Sequence, residues 1–145
     1  MSESIHFFNE NIRYVLEEKR RLRSWIRDTA AKNKVDTGEI NFIFCDDQYL
    51  TEINIKYLNH NTLTDIITFN YGDSEGVLQG DIYISMTRVK DNASEYGVSI
   101  KNELHRVMIH GILHLMGYND KTVVEKREMR RLEDECLNEY SKIFS

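Results

Sequence analysis

The sequence predicts an α+β fold in which a small, mixed β-sheet packs against several helices. Three segments rich in β-branched and aromatic residues, 40–45, 64–70 and 81–85, alternate with stretches whose apolar residues recur every three or four positions. The chain has 145 residues, no proline, no internal repeat and no low-complexity segment, so residues 1–145 are expected to form one domain. A chain of that size can bury roughly 70% of the surface its unfolded form exposes, and needs no disulfide to fold.

The first helix is expected from about residue 16 to 33, where Leu16, Leu22, Trp25, Ile26 and Ala30 form one apolar stripe among charges. Val35 to Glu39, with Gly38, breaks it, and Ile40 to Cys45 reads as a strand. Asp46 and Asp47 then offer an N-cap and a first-turn charge for a short helix ending near Tyr57. Strands Thr64–Asn70 and Asp81–Ser85 flank a glycine-containing loop. Ser85 can cap a helix from Met86 to Tyr96 that Gly97 ends, and Ser99 can cap the next, which runs to Leu115. That helix is apolar on more than one face and is expected to be central. The last helix, Val123 to Tyr140, is charged outside a stripe that includes Val124, Met129, Leu132 and Leu137.

Composition narrows the function classes. The net charge of −5 disfavours a general nucleic-acid coater, because phosphate binding draws on cations. Lys19, Arg20, Arg21, Arg23 and Arg27 form a local basic run, either a solvated helix face or a phosphate-facing surface. Cys45 and Cys136 stand in no metal or redox spacing. No apolar run of signal-peptide or membrane-spanning length occurs, and a cytoplasmic protein is expected.

The chemistry is concentrated in His110-Gly-Ile-Leu-His114-Leu-Met-Gly117-Tyr-Asn-Asp120. Two histidines four apart on a helix share a face and can converge on one ion. Gly117 lets the helix end in a left-handed turn, and Asp120 can then return as a third ligand. Two imidazoles and one carboxylate are a standard catalytic zinc set, so one divalent ion, with zinc the expected one, is predicted at His110, His114 and Asp120. His-x-x-x-His alone is equally at home in packing. The added Gly and Asp reproduce the metzincin protease frame H-E-x-x-H-x-x-G-x-x-H, with Asp for the last His. The glutamate that serves those proteases as general base is Gly111 here.

HGILHLMGYND resembles the H-G-x-L-H-L-x-G-Y-D-H signature of the YbeY family, bacterial single-strand endoribonucleases of ribosomal RNA maturation. LNHNTLTDIITF, residues 58–69, and GDIYIS, residues 80–85, resemble two further segments of that family. The resemblance implies a zincin-like metal helix in the core, ligands at His110 and His114, and Asp120 where the family places its third histidine. The family aspartate before that ligand is Asn119, and the arginine it places after a tyrosine, expected to contact phosphate, is Leu58. Lys56 and His60 are the nearest candidates to supply a cation or donor in its stead. The implied partners are single-stranded or ribosomal RNA and the small ribosomal subunit, with no membrane or DNA partner. Two other readings stay open: a metallopeptidase or other small-substrate metallohydrolase, and an assembly factor with a structural metal.

Around this motif, His105 points away from the ligand face, and Glu103 shares it but lies too far along the axis to be a ligand. Asp65 and Asp81 are turn or cap residues, or supports for a ligand histidine. Tyr118 is expected to pack beside the metal loop.

Overall fold

The computed structural model describes residues 4–59, 64–72 and 76–144. Its elements run β1 (Ile5–Asn9), α1 (Lys19–Lys32), β2 (Asp36–Cys45), α2 (Asp47–Leu58), β3 (Ile66–Asn70), β4 (Val77–Ser85), α3 (Met86–Tyr96), α4 (Ile100–Leu115) and α5 (Val123–Phe144). The sheet order is β1-β2-β4-β3, with β1, β2 and β4 parallel and β3 antiparallel to β4. A mixed sheet against helices is therefore the architecture, as the patterning predicted.

The described residues hold four strands where the sequence predicts three. β1 was missed because it is a five-residue edge strand: Ile5 is buried, Phe7 is half-buried on the same face, and Phe8 is 50% exposed. So short an alternation is hard to distinguish from a loop. β2 and β4 each begin four residues before the expected point, at Asp36 and Val77, and pair with each other there across an irregular register between Thr37 and Ile40. Glycines 38 and 80, which read as chain breaks, lie inside these strands.

Helix starts follow their caps. The side chains of Asp46, Ser85 and Ser99 accept hydrogen bonds from the backbone N–H of Tyr49, Arg88 and Asn102. α1 starts later than its apolar stripe because Glu18 adopts a left-handed conformation, with φ 62°. The Glu18 carboxylate accepts from Tyr140 Oη at 2.8 Å and faces Lys101 Nζ at 2.8 Å, tying the entry of α1 to α5 and α4. Of the expected apolar stripe of α5, Met129 is buried and Leu132 and Leu137 are half-buried, whereas Val124 is 71% exposed.

The main core lies between one sheet face and the helices. It joins Phe42 and Phe44 of β2 and Ile82 and Ile84 of β4 to Trp25 of α1 and Met108 of α4. The opposite sheet face carries a smaller cluster of Cys45, Leu50 and Ile67 under α2. α4 is central as predicted, packing on α3, α5, β3 and β4. Trp25 Nε1 donates to the Cys136 carbonyl at 2.8 Å, clamping α1 to α5. Cys45 and Cys136 are free thiols. Among the described residues no helix is long and apolar enough to cross a membrane.

Candidate metal centre

Helical periodicity stacks His110 and His114 on one side of α4, with ring centroids 4.5 Å apart. The helix then stops in a paired closure, in which Gly117 N–H donates to the His114 carbonyl and Tyr118 N–H to that of Leu113. Gly117 has φ 102°, a conformation that side chains with a Cβ rarely adopt. The chain thereby turns back and delivers Asp120. Its Oδ2 lies 3.3 Å from His110 Nε2 and its Oδ1 lies 3.5 Å from His114 Nε2.

These spacings test whether an ion fits. Ligands about 2.1 Å from a tetrahedral zinc stand about 3.4 Å from one another. Each imidazole has a different Asp120 oxygen at about that edge length, and one donor atom from each of the three residues can be chosen so that all lie within 4.8 Å of one another. His110, His114 and Asp120 thus form a cluster able to hold a metal ion, with each side chain partly exposed.

Glu133 of α5 completes the surroundings. His110 Nδ1 lies 2.5 Å from Glu133 Oε2, so the ring donates there and turns its Nε2 lone pair toward Asp120 and His114. The other Glu133 oxygen accepts from Arg106 Nη1 at 2.9 Å, and Arg106 Nη2 reaches Asp134 at 2.6 Å. Burial by itself would lower the His110 pKa, but the Glu133 hydrogen bond and the charges of Glu133, Asp120 and Asp65 hold it above the ordinary value. His114 is pushed below it by burial and by neighbouring His110. Neither Glu133 nor Arg106 stood out in the sequence. The missed signal is Glu133 itself, a carboxylate spaced four residues from both Met129 and Leu137 on the apolar side of α5.

The cluster opens onto a cleft of about 400 Å³ also lined by Asp65, Glu103, Arg106, Arg130 and Glu133. Burial raises the Asp65 and Glu103 carboxyls, each with charged neighbours in the cleft. Asp65 faces His110 electrostatically, and its carbonyl accepts from Ser85 N–H. Asp81 turns elsewhere, accepting from Asn41 Nδ2 and Tyr71 Oη. The hydrogen bond that orients the candidate ligand His110 therefore comes from Glu133, not from either strand-end aspartate. Tyr118 does more than pack: its hydroxyl donates to Asn33 Oδ1 at 3.0 Å, fastening the metal loop to the end of α1.

Other candidates fall outside the cleft. Lys56 is exposed on α2, its Nζ 5.1 Å from the ring of Tyr57, and it does not line the cleft. Leu58, 42% exposed, does not line it either. His60 lies outside the described residues. None of Lys19, Arg20, Arg21, Arg23 and Arg27 lines the cleft, and the C-cap of α1, Asn33, meets the loop after α4 through Tyr118. His105 is buried on the far side of α4 against Trp25 and Tyr140, as its position predicted. Gly111 packs on the sheet: a Cβ there would meet Ile82 Cγ2 at 2.9 Å and Ile66 Cδ1 at 3.0 Å. The position that carries a protease base in the metzincin frame is thus a contact point with the sheet.

A family model described as Endoribonuclease YbeY matches residues 5–141. A Cytophaga hutchinsonii protein named Endoribonuclease YbeY is 47% identical over 136 residues, covering 94% of this chain and 95% of the relative. A Christiangramia forsetii protein of the same name is 48% identical, covering 92% of each chain. The solution structure of a Thermotoga maritima protein, 22% identical, superposes with a TM-score of 0.62 over 97% of this chain and 93% of its own, and shares the fold. The chain belongs to the Endoribonuclease YbeY family.

Proposed function

We propose that this chain is a metal-dependent endoribonuclease that hydrolyses single-stranded RNA, acting in the cytoplasm in ribosomal RNA maturation with the small ribosomal subunit as a partner. The observation that carries the reading is the convergence of His110, His114 and Asp120, with donor atoms within 4.8 Å of one another, on the wall of a cleft, in a chain of this family. Residues 1–145 are read as one catalytic domain.

His110 and His114 offer Nε2 atoms and Asp120 a carboxylate, a set suited to a single divalent ion, with zinc the proposed one. Such an ion supplies Lewis acidity toward water and toward a phosphoryl oxygen. The protein does the rest. Glu133 holds the His110 ring in the tautomer whose Nε2 is a free donor, and Arg106 keeps Glu133 in place. Asp120 replaces a neutral imidazole by an anion, which favours ion retention and weakens the acidity the ion confers. A peptidase reading lacks its base, since Gly111 is packed against Ile82.

The test is cleavage of a labelled, unstructured RNA before and after chelation, and after reloading with zinc, manganese or magnesium. Loss with chelator and recovery with one of these ions is expected, along with a folded but inactive His114→Ala protein. Full cleavage in chelator, or by a folded His114→Ala variant, sinks the reading. A wild-type protein without nuclease activity whose His114→Ala variant unfolds would instead point to an assembly factor with a structural metal.

A further inference from the structure

A polyanion entering the cleft meets the carboxylates of Asp65, Glu103, Asp120 and Glu133. Attraction must come from cations on the same walls, and Arg106 and Arg130 are the two among the described residues. Arg106 is already committed, with its guanidinium between Glu133 and Asp134 and its side chain 16% exposed. Arg130 differs. It stands three residues before Glu133 on α5, is exposed, and forms no salt bridge or hydrogen bond among the described residues. Its charge reaches Glu103 across the cleft, which places it over the cavity rather than on the outer face of α5.

A second wall comes from α3, which contributes Asn92 and Tyr96. Tyr96 is the last residue of α3 and is 57% exposed. Among the described residues its ring stacks on no other aromatic side chain. An aromatic ring presented to a cleft that also holds an open guanidinium is the pairing that single-stranded nucleic acids use: a phosphate contact beside a stacking platform.

We propose that Arg130 and Tyr96 hold one strand of RNA across the cleft, Arg130 by a forked contact to a backbone phosphate and Tyr96 by stacking on an unpaired base. The inference rests on the RNA-hydrolysis reading above and names the residues that bind the substrate for it. It also gives a physical origin for single-strand selectivity. In a duplex both faces of a base are covered by its neighbours, so Tyr96 has a partner only where a base is free. Arg130 also supplies a cation to the cleft that Leu58 does not.

The experiment uses the metal-loaded protein, an unstructured RNA and its duplex form, with Arg130→Gln, Tyr96→Ala and Arg131→Gln compared to wild type. Arg131→Gln is the control, because it removes the same charge one residue away, where the guanidinium is held by Glu128 and Glu135. Arg130→Gln is expected to raise KM about tenfold with kcat nearly unchanged, and to reduce the salt slope of kcat/KM by about 0.7. Tyr96→Ala is expected to raise KM roughly tenfold on single strands, to leave the salt slope unaltered and to narrow the preference over duplex. Fluorescence anisotropy with the same RNA and chelated protein should show the same ranking of affinities without turnover. A wild-type KM in either variant, or an Arg130→Gln loss no larger than that of Arg131→Gln, overturns the proposal. If wild type itself neither cleaves nor binds the RNA, the RNA reading fails first and this inference with it.

Discussion

His105 and His110 lie five residues apart on α4 and meet opposite environments. His105 is 5% exposed, in ring contact with Tyr140 at 4.9 Å and Trp25 at 6.0 Å. Burial lowers its pKa to about 4, so it is a neutral packing group. His110 opens to a cleft, and Glu133 and Asp120 raise its pKa against the effect of burial. The same side chain on the same helix is thus a core residue on one side and a candidate ligand on the other. What separates them is not the histidine but the carboxylates that the rest of the fold brings to each side.

The largest expected effect comes from removing the carboxylate on the cleft side. Asp120→Ala should weaken metal binding by more than the roughly 100-fold that outer partners command, measured by competition with a chromophoric chelator. Asp120→His should retain the ion, since it restores the family ligand. Unchanged affinity in Asp120→Ala would mean that the cluster does not bind as a set of three.

Glu133→Ala comes next, with metal affinity expected to fall about 10- to 100-fold because His110 loses its orienting acceptor. Glu133→Gln should fall less. If both variants bind metal like wild type, the distinction between the two sides of α4 does not rest on Glu133.

Gly111→Ala probes how closely the ligand helix must sit on the sheet. Its new methyl would press on Ile82 and Ile66, costing about 1–3 kcal/mol. Helix propensity returns roughly 1 kcal/mol of this. Urea denaturation should therefore show a modest net loss, and a gain in stability would show that the contact with Ile82 relaxes freely.

The effect at His105 is read as a dependence on pH and is small at neutral pH, where wild type and variant differ only in packing. The unfolded chain takes up this proton near pH 6.5, whereas the folded protein does so only near pH 4. Between those values the unfolded state binds more protons, so the contribution of His105 is complete above about pH 6.5 and is lost as pH falls toward 4. The slope approaches about 1.4 kcal/mol per pH unit. His105→Phe should flatten it, and parallel stability curves for variant and wild type would contradict a neutral, buried His105.

Much of this was legible in the chain. Caps at Asp46, Ser85 and Ser99, the turn at Gly117, the central α4 and the grouping of His110, His114 and Asp120 all follow from local rules. The misses share a cause. β1 and the early parts of β2 and β4 are held by strand pairing across the sheet, which leaves little periodic trace in such short runs. Lys56 was a candidate because it stands two residues from Leu58, where the family places its arginine, yet α2 covers the opposite sheet face and Lys56 does not line the cleft.

What the sequence determined by itself is the grouping of the candidate donors: helical spacing stacks two imidazoles, and a residue without Cβ lets the chain return with Asp120. Tertiary structure alone decided which groups surround that set. Glu133, Arg106, Arg130 and Tyr96 reach the cleft from α5, α4 and α3 because these helices pack around one another, and side chains from separate helices are brought together by packing and not by sequence distance.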